Sequence, residues 1–96
     1  MDILKWLQKW YSDNRAGHSE TGIQIRNIEN KGWQVLIGLQ HTYLNNCPMM
    51  PNIIKRSETD FISCHVKNNV FTATCGPMNL SEVLEAFRDW ALENEL

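Results

Sequence analysis

The segment from Phe61 to Trp90 constrains this chain most, because it reads as a tight β-hairpin running straight into a capped amphipathic helix. Ile62, Cys64 and Val66 alternate with Phe61, Ser63 and His65, and after Asn68-Asn69 the alternation resumes at Phe71, Ala73 and Cys75. A two-residue turn at Asn68-Asn69 sets Val66 opposite Phe71, Cys64 opposite Ala73 and Ile62 opposite Cys75. Directly opposed residues share one side of a sheet, so all of these apolar side chains line one face. Downstream, Asn79 and Glu82 have the spacing of a variant capping box, with Met78 and Val83 at the hydrophobic-staple positions. Gly76-Pro77 keeps the preceding chain out of the helix. Leu80, Val83, Leu84, Phe87 and Ala91 make the apolar stripe, with Trp90 beside it, and Glu82, Glu85, Arg88, Asp89 and Glu93 stay wet.

The same reasoning places a first helix over Ile3 to Asp13. Asp2 is its N-cap, and Ile3, Trp6, Leu7 and Trp10 fall on one face with Leu4 and Tyr11 at its flank. It should stop within Asn14 to Gly17, where Gly17 permits positive φ. A polar loop follows. A strand from Gly22 to Glu29 and another from Trp33 to about Gln40 flank Asn30-Lys31-Gly32. With Gly32 in the left-handed third position of a three-residue loop, Glu29 pairs with Trp33, Asn27 with Val35, Ile25 with Ile37 and Ile23 with Leu39. Ile23, Ile25, Trp33, Val35, Ile37 and Leu39 then share one face, and Gln24, Arg26, Ile28, Gln34, Leu36 and Gln40 share the wetter one. Asn45-Asn46, Pro48 and Pro51 make His41 to Asn52 an irregular connection, with Met49-Met50 over a core edge. Ile53 to Arg56 reads as a short strand and Ser57 to Asp60 as a turn. The expected fold is α+β: an antiparallel sheet of about four to five strands, with N- and C-terminal helices packed on one face. Residues 1–96 read as a single domain, large enough for one core without metal or disulfides.

Charge and composition remove several function classes. The chain is 43% hydrophobic and 21% charged, ordinary for a globular protein. A net charge of −2 provides no field for nucleic acid or an anionic membrane. Asp2 ahead of the first apolar residues, with Lys5 and Lys9 among them, argues against a signal peptide, and no stretch approaches the roughly 20 apolar residues of a membrane span. The expectation is a cytoplasmic protein. Its three cysteines, Cys47, Cys64 and Cys75, are an odd set without a CxxC pair, which argues against a secreted disulfide scaffold. Cys64 and Cys75 read as small core hydrophobes.

No catalytic constellation emerges. Cys64-His65 has the residue types of a thiol enzyme, but strand neighbours point to opposite faces. His18, His41, Cys47 and Cys64 lack zinc-ligand spacing. Glu58 and Asp60 are turn-formers, and the glycines form no phosphate-binding loop. Lys55-Arg56 near Phe61 is too short a basic step for a nucleic-acid site. Trp6, Trp10 and Trp90 have core spacing, and Trp33 reads as partly exposed. The residues therefore predict no catalytic group, metal or cofactor.

The ordered segments Trp6–Tyr11 (WLQKWY), Gly22–Leu39 (GIQIRNIENKGWQVLIGL), Arg56–Val66 (RSETDFISCHV) and Gly76–Trp90 (GPMNLSEVLEAFRDW) resemble the immunity protein 53 family. The most specific pieces are Gly32-Trp33, Arg56-Ser57 with Asp60, Cys64, Gly76-Pro77 with Asn79-Leu80, and Trp90. The resemblance implies a bacterial, cytoplasmic protein, encoded beside a polymorphic toxin, that binds and blocks that toxin without catalysis. One region departs. Asp13–Gly22 reads DNRAGHSETG, shorter and less acidic than the Cys-Asp-Gly-Asp-Trp-Glu-His-like segment usual in the family. Change confined to a loop on a kept scaffold is physically economical, because loops tolerate it and cores do not. The expected toxin contacts are the loop residues Arg15, His18 and Glu20 and, on the wetter sheet face, Arg26, Gln34, Leu36, Phe61 and His65. Neither nucleic acid nor membrane is expected as a partner. The alternatives are a homodimeric adaptor pairing through a strand edge or a tryptophan face, and a small thiol- or metal-dependent enzyme.

Overall fold

The hairpin centred on Asn68-Asn69 forms in the register its alternation requires. In the computed structural model, which describes residues 2–14, 21–29 and 31–95, β4 (Phe61–Lys67) and β5 (Val70–Cys75) pair Val66 with Phe71, Cys64 with Ala73 and Ile62 with Cys75. Asn68 and Asn69 both take positive φ, 52° and 63°, the geometry of a type I′ turn, which asparagine tolerates. Before this hairpin come α1 (Ile3–Asp13), β1 (Ile23–Ile28), β2 (Gly32–Gly38) and β3 (Asn52–Lys55), and α2 (Leu80–Glu93) follows it. The strands form one antiparallel sheet in the order β1-β2-β5-β4-β3. The architecture is the α+β arrangement expected from the sequence.

Both helices lie on the same side of the sheet. Leu7 and Trp10 from α1 and Val83, Leu84, Phe87, Trp90 and Ala91 from α2 bury against Val35, Ile37, Ile62, Cys64, Phe71, Ala73 and Cys75. Phe87 is the hub, with its ring 4.9 Å from that of Phe71 and 5.0 Å from that of Trp10, both edge-on. Asp2 caps α1 as expected, its Oδ1 accepting from the Leu4 amide at 3.0 Å. α1 ends at Asp13 with Asn14 as its C-cap, within the stretch Asn14 to Gly17 where it was expected to stop; the Asn14 side chain donates to the Trp10 carbonyl at 3.1 Å, and residues 15–17 lie outside the described residues.

Four expectations need correction. The β1–β2 register is two residues tighter than proposed: Ile23 pairs with Ile37, Ile25 with Val35 and Asn27 with Trp33. Glu29 and Gly32 both take positive φ, 23° and 133°, the Lys31 amide closes on the Ile28 carbonyl at 2.6 Å, and Gly32 is already in the strand, opposite Ile28. A two-residue slip preserves the period of two, so every side chain keeps its face. Second, Met78 is 91% exposed and staples nothing, and Asn79 caps no helix amide: its Oδ1 accepts from the Phe61 amide at the start of β4, while its Nδ2 donates to the Glu82 side chain, so the capping box does not form. Third, Met50 is exposed and only Met49 packs on the core; Leu44, from the connection read as irregular, is the residue that fills it. Fourth, Arg88 and Glu82 are not simply wet. Arg88 lays most of its side chain against the protein while pairing with Asp89 at 3.1 Å, and Glu82 joins a network described below.

The connection between β2 and β3 is held by side chains distant in sequence. The Tyr43 hydroxyl donates to the Ala91 carbonyl at 2.8 Å, and Trp90 Nε1 donates to the Pro48 carbonyl at 3.3 Å. Thr42 Oγ1 accepts from the Leu44 amide at 3.0 Å and donates to the Leu39 carbonyl at 2.7 Å. These bonds close the open end of the core over Leu44.

Candidate functional site

The strand residues that alternate with the core make the other side of the sheet, and no described helix covers it. Three rows run across it. Arg26, Gln34, Thr74, Ser63 and Ile53 are successive cross-strand partners from β1 to β3. Beside them lie Gln24, Leu36, Thr72 and His65, and at the far edge Phe61 pairs with Lys55. Five residues expected at a contact surface, Arg26, Gln34, Leu36, Phe61 and His65, thus share one continuous face. Arg15, His18 and Glu20 lie outside the described residues.

The face is polar but not bare. Leu36, Phe61, His65, Thr72 and Thr74 are half-buried by their neighbours, whereas Arg26, Lys55 and Lys67 project into solvent. Arg26 Nη2 donates to Gln34 Oε1 at 2.7 Å, a neutral acceptor, and among the described residues the guanidinium meets no carboxylate. Where β3 meets β4 the face dips into an open groove of about 600 Å³. Ile53, Phe61, Ser63 and Pro77 form its walls, with Lys31, Lys55 and Glu58 at its rim. Ile53 is 69% exposed there, far more than an aliphatic side chain of this size needs to be. The sequence reading missed Ile53, Lys55, Lys67 and Pro77 as parts of this surface. The alternation of Ile53 and Lys55 was visible, but nothing local fixes the register that sets Lys55 opposite Phe61.

Behind the groove a polar knot fixes the loop joining β3 to β4. Arg56 Nε and Nη2 bind the two oxygens of Asp60 at 3.0 and 2.9 Å, and Nη2 also reaches Glu82 Oε1 at 2.6 Å. Asn79 Nδ2 donates to Asp60 Oδ1 at 2.9 Å and to Glu82 Oε1 at 3.0 Å, while its Oδ1 accepts from the Phe61 amide at 3.3 Å. The hydrogen bonds from Arg56 hold the Asp60 and Glu82 carboxyls below the usual carboxylate range, and the two acids push the guanidinium up in return. A Cβ on Gly76 would overlap the Thr59 carbonyl and the Asn79 side chain, so glycine is what lets the loop and helix meet. Four of the residues specific to the resemblance, Arg56, Asp60, Gly76 and Asn79, thus meet in this knot, which through Asn79 holds the Phe61 amide.

Two of the three thiols, Cys64 and Cys75, are poorly placed for chemistry. Cys64 is fully buried beneath the helices, where burial pushes its thiol up to about 11, and Cys75 is raised by burial too. His65 points to the opposite face, as strand geometry demands. Cys47, Cys64 and Cys75 are free thiols. Among the described residues no three His, Cys, Asp or Glu side chains converge as metal ligands would, and no helix is long and apolar enough to cross a membrane.

Comparison with known proteins gives one match. The family model for immunity protein 53 matches residues 4–92, a span that takes in every strand, the polar knot, the open face and all but the outermost residue of each helix. No curated protein and no solved structure matches the chain.

Proposed function

The chain belongs to the immunity protein 53 family, and on that footing we propose that it binds a cognate bacterial polymorphic toxin in the cytoplasm and blocks it by occupying its active surface, without catalysis. The observation that carries this reading is the open face. Arg26, Gln34, Leu36, Phe61 and His65 sit side by side on a sheet whose other side is packed by both helices. Such a face is held rigid from behind, so docking costs little ordering of its own residues. The knot around Arg56 supports the same reading by fixing the wall of the groove beside Phe61. The test is co-expression with the toxin encoded by the neighbouring gene, followed by affinity capture of the pair. Protection of the cells and a stoichiometric complex are expected. Failure of both protection and capture with every neighbouring toxin would remove the proposal.

A second reading, a homodimer through the β3 edge, is favoured by one observation. Ile53 and Ile54 are both exposed, on the two sides of a four-residue edge strand. Light scattering after size exclusion decides it: a dimer persisting at micromolar concentration, and lost in Ile53→Lys, supports the adaptor.

A further inference from the structure

We infer that the partner surface that docks on the open face is an acidic protein surface carrying a protruding apolar side chain, which enters the groove over Phe61 and Ile53. This inference rests on the reading of the chain as a toxin-binding protein and specifies the chemistry of its partner.

Charge is segregated across the sheet. The whole chain is acidic, with a net charge of −2, yet among the described residues no Asp or Glu lies on the open face of any strand. Arg26, Lys55 and Lys67 all do, one each on β1, β3 and β4. Exposed carboxylates gather instead on the outer side of the helix layer, at Glu85, Asp89 and Glu93. The side that faces a partner is thus cationic, and the side that faces away repels an acidic partner that approaches in the wrong orientation. This is the arrangement that steers association and fixes orientation.

The cations are free to respond. Among the described residues Arg26 is engaged only by the neutral Gln34 amide, and neither Arg26 nor Lys67 meets a carboxylate. Lys55 touches Glu58 at 3.3 Å, but both side chains are largely exposed. An exposed pair of this kind has little net worth, so a carboxylate of the partner displaces Glu58 at small cost. Between these charges the groove offers an apolar floor, with an isoleucine left in water until something covers it. An apolar side chain ringed by carboxylates satisfies both features at once, as interface anchors seated in desolvated pockets do. A single-stranded nucleic acid fits less well. It calls for an extended cationic track with successive stacking rings, and among the described residues this face offers separated cations and two rings, Phe61 and His65, set four residues apart on β4.

The experiment measures association of the wild-type chain and its variants with the catalytically inactivated toxin from the neighbouring gene, by surface plasmon resonance at low and physiological salt. Arg26→Glu combined with Lys67→Glu is expected to slow association about tenfold and to flatten its salt dependence. Ile53→Ser is expected to speed dissociation about tenfold, because the substitution empties the anchor site. Glu85→Lys with Glu93→Lys, on the helix layer, is expected to leave dissociation within about twofold of wild type and not to slow association. Thermal melts confirm that these exposed substitutions leave the fold intact. Binding that persists with unchanged rates in both the charge-reversed variant and Ile53→Ser overturns this inference while leaving the toxin-binding reading in place. Absence of binding by wild type to any neighbouring toxin overturns both. Oligothymidine or oligouridine strands of about 20 nucleotides serve as the competing probe; tight binding to them, lost in the charge-reversed variant, overturns the acidic protein partner in favour of nucleic acid.

Discussion

The two sides of the sheet are written on the same strands and obey different rules. On β5, Phe71, Ala73 and Cys75 are buried beneath the helices, while Thr72 and Thr74 between them look out from the open face. On β2, Val35 and Ile37 are sealed and Gln34 and Leu36 are not. Because side chains alternate with a period of two, neighbouring residues meet unrelated physical requirements. One residue is judged on volume and the next on charge and reach. Stability and recognition are therefore separable in this fold to a degree that a helical surface, with its graded flanks, does not allow. Substitutions on the covered side should change stability and leave partner affinity per folded molecule unchanged; those on the open side should do the reverse.

The strongest test of that separation is Phe87→Ala. Phe87 is fully buried and touches the rings of Phe71, Trp10, Trp6 and Trp90, so its removal opens a cavity that no single neighbour can fill. A loss of about 3–5 kcal/mol in urea unfolding is expected. Next comes Gly32→Ala. Gly32 holds φ at 133°, and a Cβ there would overlap the Cys75 carbonyl on β5. Strained backbone and overpacking together should cost at least about 2 kcal/mol. A melt within one degree of wild type would show that β2 and β5 are less tightly apposed than they are here.

Gly32 also marks the limit of what was legible. From sequence it looked like a turn glycine, and that placement set the β1–β2 register two residues too long. The real requirement is a close approach to a strand some forty residues away, and no local signal reports that. By contrast, Asn68-Asn69 fixed the β4–β5 register correctly because a two-residue loop leaves the chain one solution. Helix faces were equally plain, since Leu7, Trp10, Val83, Leu84 and Phe87 repeat with helical spacing. The site was half legible. Alternation assigned Arg26, Gln34, Leu36, Phe61 and His65 to wetter positions, but only the strand order, with β2 beside β5, makes them one surface. Leu44 escaped notice altogether, because its burial depends on Tyr43 reaching Ala91 and Trp90 reaching Pro48.

The knot behind the groove lies between the two regimes and predicts intermediate effects. Asn79 is buried and partners Phe61, Asp60 and Glu82, so Asn79→Ala removes hydrogen bonds without giving their partners full access to water. A loss of about 1–2 kcal/mol is expected in urea unfolding, together with weaker toxin binding as Phe61 loosens. The same knot is sensitive to acid. Asp60 and Glu82 carry folded values below those of the unfolded chain, chiefly through hydrogen bonds from Arg56. Their stabilisation is therefore complete above the unfolded carboxylate range of about 4 and is lost as pH falls through the lower folded values. Urea midpoints measured from about pH 6 down to about pH 2.5 should drop, and the drop should be shallower in Arg56→Gln. Equal slopes in the two proteins would show that the knot does not contribute to acid sensitivity.

The smallest effect on stability is expected on the open face, and it tests the separation most sharply. Arg26→Ala removes an exposed side chain whose one hydrogen bond, to Gln34, lies in solvent. Water replaces the guanidinium at Gln34 Oε1, no buried group is orphaned, and no cavity forms, so stability should stay within about 0.5 kcal/mol of wild type. The same change withdraws one of the three cations of the open face, and on the proposed reading toxin association should slow while unfolding does not change. If Arg26→Ala instead costs more than about 1.5 kcal/mol in urea unfolding, the open face is bound into the folding cooperativity of the sheet, and the two sides of the strands are not independent.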